Sequence, residues 1–318
     1  MASPDLASRG SFKGRTVIVT GGAGAVGTQL SLAFGKAGAN VVVNDISTTS
    51  DGKFRAQEVV DEITAQGGSA VLDTNSVVDG ERIVRTALEK FGRIDVIVNN
   101  AALARYVPFE EDDLSVYKRI LDVNVLGSIS LILAAWPHFK SQRYGRVVNC
   151  SSDAIFGMTE VTPYTFSKGA ILAGTRALAI EGAPHGILVN CVAPTAYGDM
   201  MLLHLNKMDA AIRDQAKEFA STTYPPESNI PWFLALCHES SEITGEFFSL
   251  GAYSVSRIVL GVQDGVTNLR TMEECLQQQD AILKNPKAQI NVPRNCDEFN
   301  EVTVRGKSAR PQESLHGH

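Results

Sequence analysis

Cysteine is scarce in this sequence and follows no pairing pattern. The 318 residues hold five, Cys150, Cys191, Cys237, Cys275 and Cys296, with no C-x-x-C spacing. An odd, scattered set argues against a disulfide framework and offers no zinc-ligand spacing, so buried thiols in a reducing compartment are expected. Excess positive charge is lacking too: 29 Lys and Arg stand against 35 Asp and Glu, a net charge of −6. That balance disfavours a phosphate-backbone partner, and no nucleic acid is expected. No run of 18 apolar residues occurs, so no membrane span is expected. The first 14 residues lack the apolar segment of a signal peptide, and residues 315–318 are not a Ser-Lys-Leu address. A cytoplasmic location is the expectation. His138, His185, His204 and His238 are scattered without metal-like spacing, and no metal is expected.

What is present reads as one sizeable globular domain. Hydrophobic residues make up 44% and charged residues 20%, ordinary values for a chain long enough to bury a full core. Short β-branched runs at 16–20, 40–44, 70–72, 96–98, 146–149 and 188–193 suit strands buried on both faces. Helical stretches at 28–37, 54–66, 81–91 and 170–181 separate them, with Gly38 and Gly67-Gly68 as stops. This alternation predicts an α/β fold, a doubly wound parallel sheet with helices on both faces. Beyond residue 195 the reading is a helix over 200–220, a break at Tyr224-Pro225-Pro226, a helix over 231–238 and a strand over 246–250. The domain is set at 12–255. A C-terminal extension follows at 256–303, with a helix near 272–283, packing on the domain or on a partner subunit. Residues 1–11 and 304–318 are polar and expected to be disordered tails.

The first strand runs into Gly21-Gly22-Ala23-Gly24-Ala25-Val26-Gly27 and then a helix. Glycines there let the backbone approach a pyrophosphate, and the helix start offers N–H groups and positive potential. Gly21, Gly24, Ala25, Val26 and Gly27 are therefore candidate dinucleotide contacts. The second strand ends at Asp45. A carboxylate there can accept hydrogen bonds from ribose hydroxyls and repels a 2′-phosphate, which predicts NAD rather than NADP.

Tyr164 and Lys168 are four residues apart, so a helix puts them on one face. An ammonium beside a phenol lowers the phenol's pKa and brings it toward proton-transfer range. Ser151 lies thirteen residues before Tyr164, just past a predicted strand, and Asn99-Asn100-Ala101-Ala102 lies just past another. Asn124 sits in a helical stretch, 121–134, between those strands. The carboxyl ends of strands are where ligands bind in an open parallel sheet.

Thr20-Gly21-x-x-x-Ala25-x-Gly27, Asp45, Asn99-Asn100-Ala101, Asn124, Ser151, Tyr164 and Lys168 together resemble the short-chain dehydrogenase/reductase family over about residues 12–255. The resemblance implies a single Rossmann-type domain. It implies Tyr164 as general acid or base and Ser151 as the hydroxyl orienting the substrate oxygen, with Ser152 ranked second. Lys168 would hold the nicotinamide ribose and depress the Tyr164 pKa, and Asn124 would position a relay water. Asn75 would contact adenine, with Ser76 beside it, and Asn99 and Ala101 would lie along the dinucleotide. Pro194 and Thr195 would lie on the nicotinamide side. Ala25, Ala102, Asn75 and Thr195 depart from the family's usual residues.

The stretches 41–45, 91–95, 144–146 and 236–240 are most similar to the (3R)-hydroxyacyl-CoA dehydrogenase branch found in peroxisomal multifunctional enzymes of β-oxidation. The implied substrate is a lipophilic secondary alcohol or ketone, either a fused-ring steroid or terpenoid or a 3-hydroxyacyl-CoA. Met and Leu residues in 195–205 fit the lipophilic reading, and the segment carries no basic patch for CoA phosphates. The alternative is a non-catalytic NAD-binding sensor or scaffold. Relatives pair through helices matching 113–140 and 164–182, which implies a homodimer or homotetramer.

Overall fold

The computed structural model describes residues 12–263, 265–267, 269–284 and 289–303. The expected tails, 1–11 and 304–318, lie outside the described residues. The chain falls into two compact units, divided between Arg257 and Ile258.

The first unit is built on one sheet. β1 (Thr16–Thr20), β2 (Asn40–Asn44), β3 (Ser69–Asp73), β4 (Val96–Asn99), β5 (Gly145–Cys150), β6 (Ile187–Pro194), β7 (Phe247–Gly251) and β8 (Ser254–Ile258) lie in the order β3-β2-β1-β4-β5-β6-β7-β8. The pairs from β3 through β7 are parallel. Every residue of β1, β4 and β5 is buried. Burial on both faces explains why these strands read as unbroken β-branched runs rather than alternating ones.

α1 (Ala25–Lys36) and α2 (Arg55–Ala65) cover one face, where Leu30, Phe34 and Ile63 join Phe233 and Leu236 of a later helix around Val41 and Val43. α3 (Gly80–Phe91) covers the other, where Ile83 meets Leu131 and Phe139 over Ile18 and Ile97. The strand order reverses direction between β1 and β4. That opens a crevice beyond their carboxyl ends, the position at which such sheets bind ligands.

Leu114–Gln142 forms a continuous helical run made of α4 (Leu114–Leu121), a π-helical turn (Asp122–Leu126) and α5 (Gly127–Gln142). It is the one helix among the described residues long and apolar enough to cross a membrane. Leu131, Ile132, Ala135 and Phe139 on its buried face belong to the core of the sheet, which accounts for much of that apolarity.

Several expected elements change. The helix expected at 170–181 is α6 (Thr162–Gly182), because Pro163 in its first turn suits a helix start. α1 begins at Ala25, not at 28, because Gly24 itself serves as the N-cap. The single helix expected at 200–220 is two, α7 (Asp199–Leu205) and α8 (Ala210–Thr223). Asp209 accepts a hydrogen bond from the Ala211 N–H and so starts a new helix. α9 (Ile230–Cys237) then packs its buried face, including Phe233 and Leu236, on the sheet. β8 was not expected. Ala252 and Tyr253 both take left-handed backbone, φ 49° and 58°, forming a two-residue turn that returns the chain alongside β7, antiparallel.

The second unit holds β9 (Val262–Gln263) paired antiparallel with β10 (Ile290–Asn291). The helix expected at 272–283 is split into α10 (Met272–Gln277), opened by a Thr271–Glu274 capping box, and α11 (Gln279–Leu283). α12 (Cys296–Val302) is capped by Asn295.

Phe139 is completely buried where α5 meets the sheet. Phe139→Ala should cost about 3–5 kcal/mol through lost burial and the cavity left behind. Urea unfolding measures this, and a loss under about 1 kcal/mol would contradict the packing.

Candidate active site

The turn after β1 is shaped by close backbone approach. A Cβ on Gly27 would stand 2.0 Å from the Gly21 carbonyl oxygen, and one on Gly22 would stand 2.7 Å from Val43 Cγ1. The turn is therefore pressed against the start of α1. That start has no side-chain cap and no acidic residue in its first turn. Gly21, Gly24, Ala25 and Val26 face a cleft of about 730 Å³. Uncapped N–H groups behind side-chain-free backbone suit an anionic diphosphate, so a dinucleotide fits this wall.

The strand ends are laced together behind the turn. Thr20 Oγ accepts hydrogen bonds from Asn100 N–H and Ala101 N–H, each at 3.0 Å. Asn100 Nδ2 donates to the carbonyls of Thr20 and Gly21, at 3.0 and 3.1 Å. At the end of β2, Asp45 accepts from Ala23 N–H at 3.0 Å and from Ser47 N–H at 2.8 Å. Its carboxylate is thus fixed at the cleft edge, beside Ile46, Ser47 and Arg55.

The opposite wall comes from β5 and α6. Lys168 is buried and its Nζ donates to the Cys150 carbonyl at 2.6 Å. Ser151 Oγ donates to the Lys168 carbonyl at 2.8 Å. Tyr164, on the same helix face, is also buried, with Lys168 Nζ 5.4 Å from its ring centroid. Ser151, Tyr164, Lys168 and Pro194 all line the cleft. Tyr164 also joins Ala154 and Val161 in a small apolar cluster, covered by Ala102, Ala104, Tyr106 and Met200. A glycine-rich turn, a fixed carboxylate and a buried tyrosine–lysine pair therefore share one cleft. Residues 15–209 match the short chain dehydrogenase family profile.

The chain belongs to the short-chain dehydrogenase family. A short chain dehydrogenase from Mycobacterium avium has a similar structure, with TM-score 0.74 and 29% identity, covering 88% of this chain and 98% of that one. The peroxisomal hydratase-dehydrogenase-epimerase of Saccharomyces cerevisiae is 38% identical over 248 residues, which are 76% of this chain and 26% of that protein. Peroxisomal multifunctional enzyme type 2 of Mus musculus is 38% identical over 258 residues, 80% of this chain and 34% of that protein. The chain thus spans about a quarter to a third of the length of these two relatives.

In this short-chain dehydrogenase several expected contacts turn away from the cleft. Gly27 lies behind the turn, against Gly21. Asn99 is buried and donates to Asn149 Oδ1 at 2.9 Å, while Asn149 donates to Thr175 of α6. The Asn75 side chain donates to Asp73 at 2.9 Å, leaving Ser76 and Val77 on the cleft wall. Thr195 is engaged through its backbone, with N–H to Leu250 and carbonyl to Asn229, while its neighbours Pro194 and Ala196 line the cleft. The Asn124 amide is committed to the Leu103 backbone and to Ser167 Oγ, at 2.7–2.9 Å. Its side chain ties the loop after β4 to α6. Arg55 and Arg119 line the cleft without having been expected. Arg55 opens α2 and pairs with Asp199 of α7 at 3.8 Å. That meeting depends on how the 46–54 loop folds, for which the sequence holds no signal.

The acidity of the pair also differs from expectation. Burial pushes the Tyr164 pKa up, a contact with the Ser152 hydroxyl pulls it down, and the nearby Tyr106, Asp153 and Cys150 push it further up. Burial lowers the Lys168 pKa. Desolvation therefore dominates, and the group that lowers the phenol is Ser152 rather than the ammonium, which sits over the ring face and is bonded to a carbonyl. The Ser152 hydroxyl, ranked second on spacing, is thus the group that draws the Tyr164 pKa down, while Ser151 lines the cleft with Tyr164. Ser152 donates to Asp153 Oδ1 at 3.0 Å and accepts from Ala154 N–H.

Burial also pushes Cys150 and Cys191 up to about 12 and raises Cys237. As pH rises above about 9, the unfolded chain releases these thiol protons and then the Tyr164 proton, while the folded chain keeps them. Stability should therefore fall through that range. Lys168, with its folded pKa lowered, acts in the opposite direction. Urea unfolding at pH 8 and pH 10 should show a loss of at least about 1 kcal/mol, and an unchanged or higher stability at pH 10 would contradict it.

Proposed function

We propose that this chain interconverts a lipophilic secondary alcohol and its ketone with NAD. The observation that carries the reading is the buried Tyr164–Lys168 pair set across one cleft from the glycine turn. Backbone N–H groups at Gly24, Ala25 and Val26 would hold the diphosphate, and Asp45 would accept from the adenosine ribose hydroxyls. Lys168 has three N–H bonds, of which the Cys150 carbonyl takes one; it would hold the nicotinamide ribose with another. When bound, the dinucleotide supplies the hydride acceptor and a positive ring that favours the phenolate.

Tyr164 takes the alcohol proton as the carbon-bound hydrogen departs, and returns it in ketone reduction. Ser152 and Ser151 are the two hydroxyls available to orient the substrate oxygen. Ser151 lines the cleft and donates to the Lys168 carbonyl, which leaves its oxygen free to accept, whereas Ser152 Oγ already donates to Asp153 and accepts from Ala154. The apolar cluster around Tyr164 excludes water and favours a hydrocarbon-rich substrate. A fused-ring alcohol fits that wall. A 3-hydroxyacyl-CoA is the second reading, favoured by the likeness to the yeast and mouse peroxisomal proteins. A sensor without chemistry leaves the buried pair unexplained, since burying a lysine beside a tyrosine is costly for binding alone.

Tyr164→Phe should lower turnover about 10²–10⁴-fold while NADH binding persists. Initial rates on a panel of hydroxysteroids, hydroxyterpenoids and 3-hydroxyacyl-CoAs, followed by NADH absorbance, test this. Retained turnover overturns the assignment.

Fixed beside the ribose position, the Asp45 carboxylate should give NAD at least about a tenfold advantage in kcat/KM over NADP, some 1.4 kcal/mol. Equal or better use of NADP would contradict this. Leu114, Leu126 and Leu133 of α4–α5, with Phe166 and Ile180 of α6, leave apolar surface exposed. A homodimer or homotetramer would cover it, and light scattering reads the mass directly; a monomer removes this part of the proposal.

A further inference from the structure

α7 begins at the cleft, which Asp199 and Met200 line, and the chain just past its end is tied to the loops that wall the Tyr164 side. Lys207, just past α7, points Nζ at two groups. It pairs with Glu160 Oε2 at 2.6 Å and donates to the Tyr106 carbonyl at 2.8 Å. Glu160 and Tyr106 belong to the two loops that follow β5 and β4. Those loops are joined to each other by the Val107 N–H, which donates to the Glu160 carbonyl at 2.8 Å. His204, on the last turn of α7, lays its ring against Tyr106 with centroids 5.7 Å apart. Two side chains of one short stretch thus hold the same loop residue.

Glu160 adds an independent sign. It is one of four non-glycine residues with left-handed backbone among the described residues, at φ 63°. Glycine would suit that backbone better, yet a residue with a long carboxylate stands there and reaches Lys207. Backbone strain held by surrounding structure clusters at ligand clamps. Tyr106, Met200 and Val161, the elements joined by this junction, are members of the apolar wall over Tyr164.

We propose that Lys207 is a positioning residue: by drawing the two loops and the end of α7 together, it sets the width of the apolar wall against Tyr164 and so selects substrates by bulk. This rests on the alcohol–ketone reading given above. The partners of Lys207, Tyr106 and Glu160, belong to the loops that carry the apolar wall over Tyr164, so its influence falls on substrate.

Lys207→Met keeps the stem and removes the charge. Lys207→Arg restores a charged donor. Glu160→Gly removes the carboxylate while easing the backbone, so it separates the ion pair from fold stability. With cyclohexanol and a 3-hydroxysteroid as probes, Lys207→Met and Glu160→Gly should change the ratio of the two KM values about tenfold. Lys207→Arg should restore most of it, and the NADH Kd should stay within about twofold. Amide exchange at Val107 should quicken in Lys207→Met and Glu160→Gly, and not in Lys207→Arg.

An unchanged KM ratio, an arginine variant no better than methionine, or unaltered exchange at Val107 would overturn the proposal. If the wild-type chain oxidises neither probe, the alcohol reading fails for these substrates, and Val107 exchange in the three variants still decides whether Lys207 holds the loops.

Discussion

A lysine ammonium stripped of water anchors this cleft. Lys168 is almost completely buried, and its Nζ is held by the Cys150 carbonyl at 2.6 Å. Taking such a charge out of water costs several kcal/mol, so the surroundings must hold it firmly. They do so through both ends of the residue. The Lys168 side chain reaches down to the last residue of β5, and the Lys168 carbonyl accepts from Ser151, the next residue along. Two hydrogen bonds thus pin one turn of α6 to one strand end, and Tyr164, a turn earlier, has its place set by them.

The facing wall depends on the absence of side chains. Gly21, Gly22 and Gly27 let the turn, the helix start and the neighbouring strands approach within distances that a Cβ would block. Asn100 and Thr20 then lock the turn to β4. Even the departure at Ala25 fits: a Cβ on Gly198 would lie 2.5 Å from the Ala25 Cβ, so the chain entering α7 passes the turn only as glycine. The cleft consequently lies between a backbone wall and the buried Tyr164–Lys168 pair.

The strands of the parallel sheet were legible because burial on both faces leaves unbroken β-branched runs, as at Val41–Val43 and Val96–Val98. The Tyr164–Lys168 pair was legible from helical spacing. Side-chain direction at strand ends was not. Asn99 stands beside cleft residues yet turns inward, because it is captured by Asn149, fifty residues away, which no local pattern reveals, and the Asn75 side chain is taken by its near neighbour Asp73. β8 was missed for a different reason. Its turn is made by Ala252-Tyr253, without the Asn-Gly or Asp-Gly pair that marks most such hairpins. The break in the 200–220 helix hid because Asn206, Lys207 and Met208 continue a helix-compatible composition, and only the Asp209 cap restarts it.

On the proposed reading, the Tyr164 phenol, kept protonated by burial, becomes an acid–base group when a cationic ring enters the cleft. Ultraviolet difference titration of the phenol, wild type minus Tyr164→Phe, with and without saturating NAD⁺, tests it most directly. Tyr164 should ionise above the ordinary tyrosine range in the free protein, with a clear fall when NAD⁺ is bound. A tyrosine titrating at its ordinary value in both, or showing no response to NAD⁺, would contradict it.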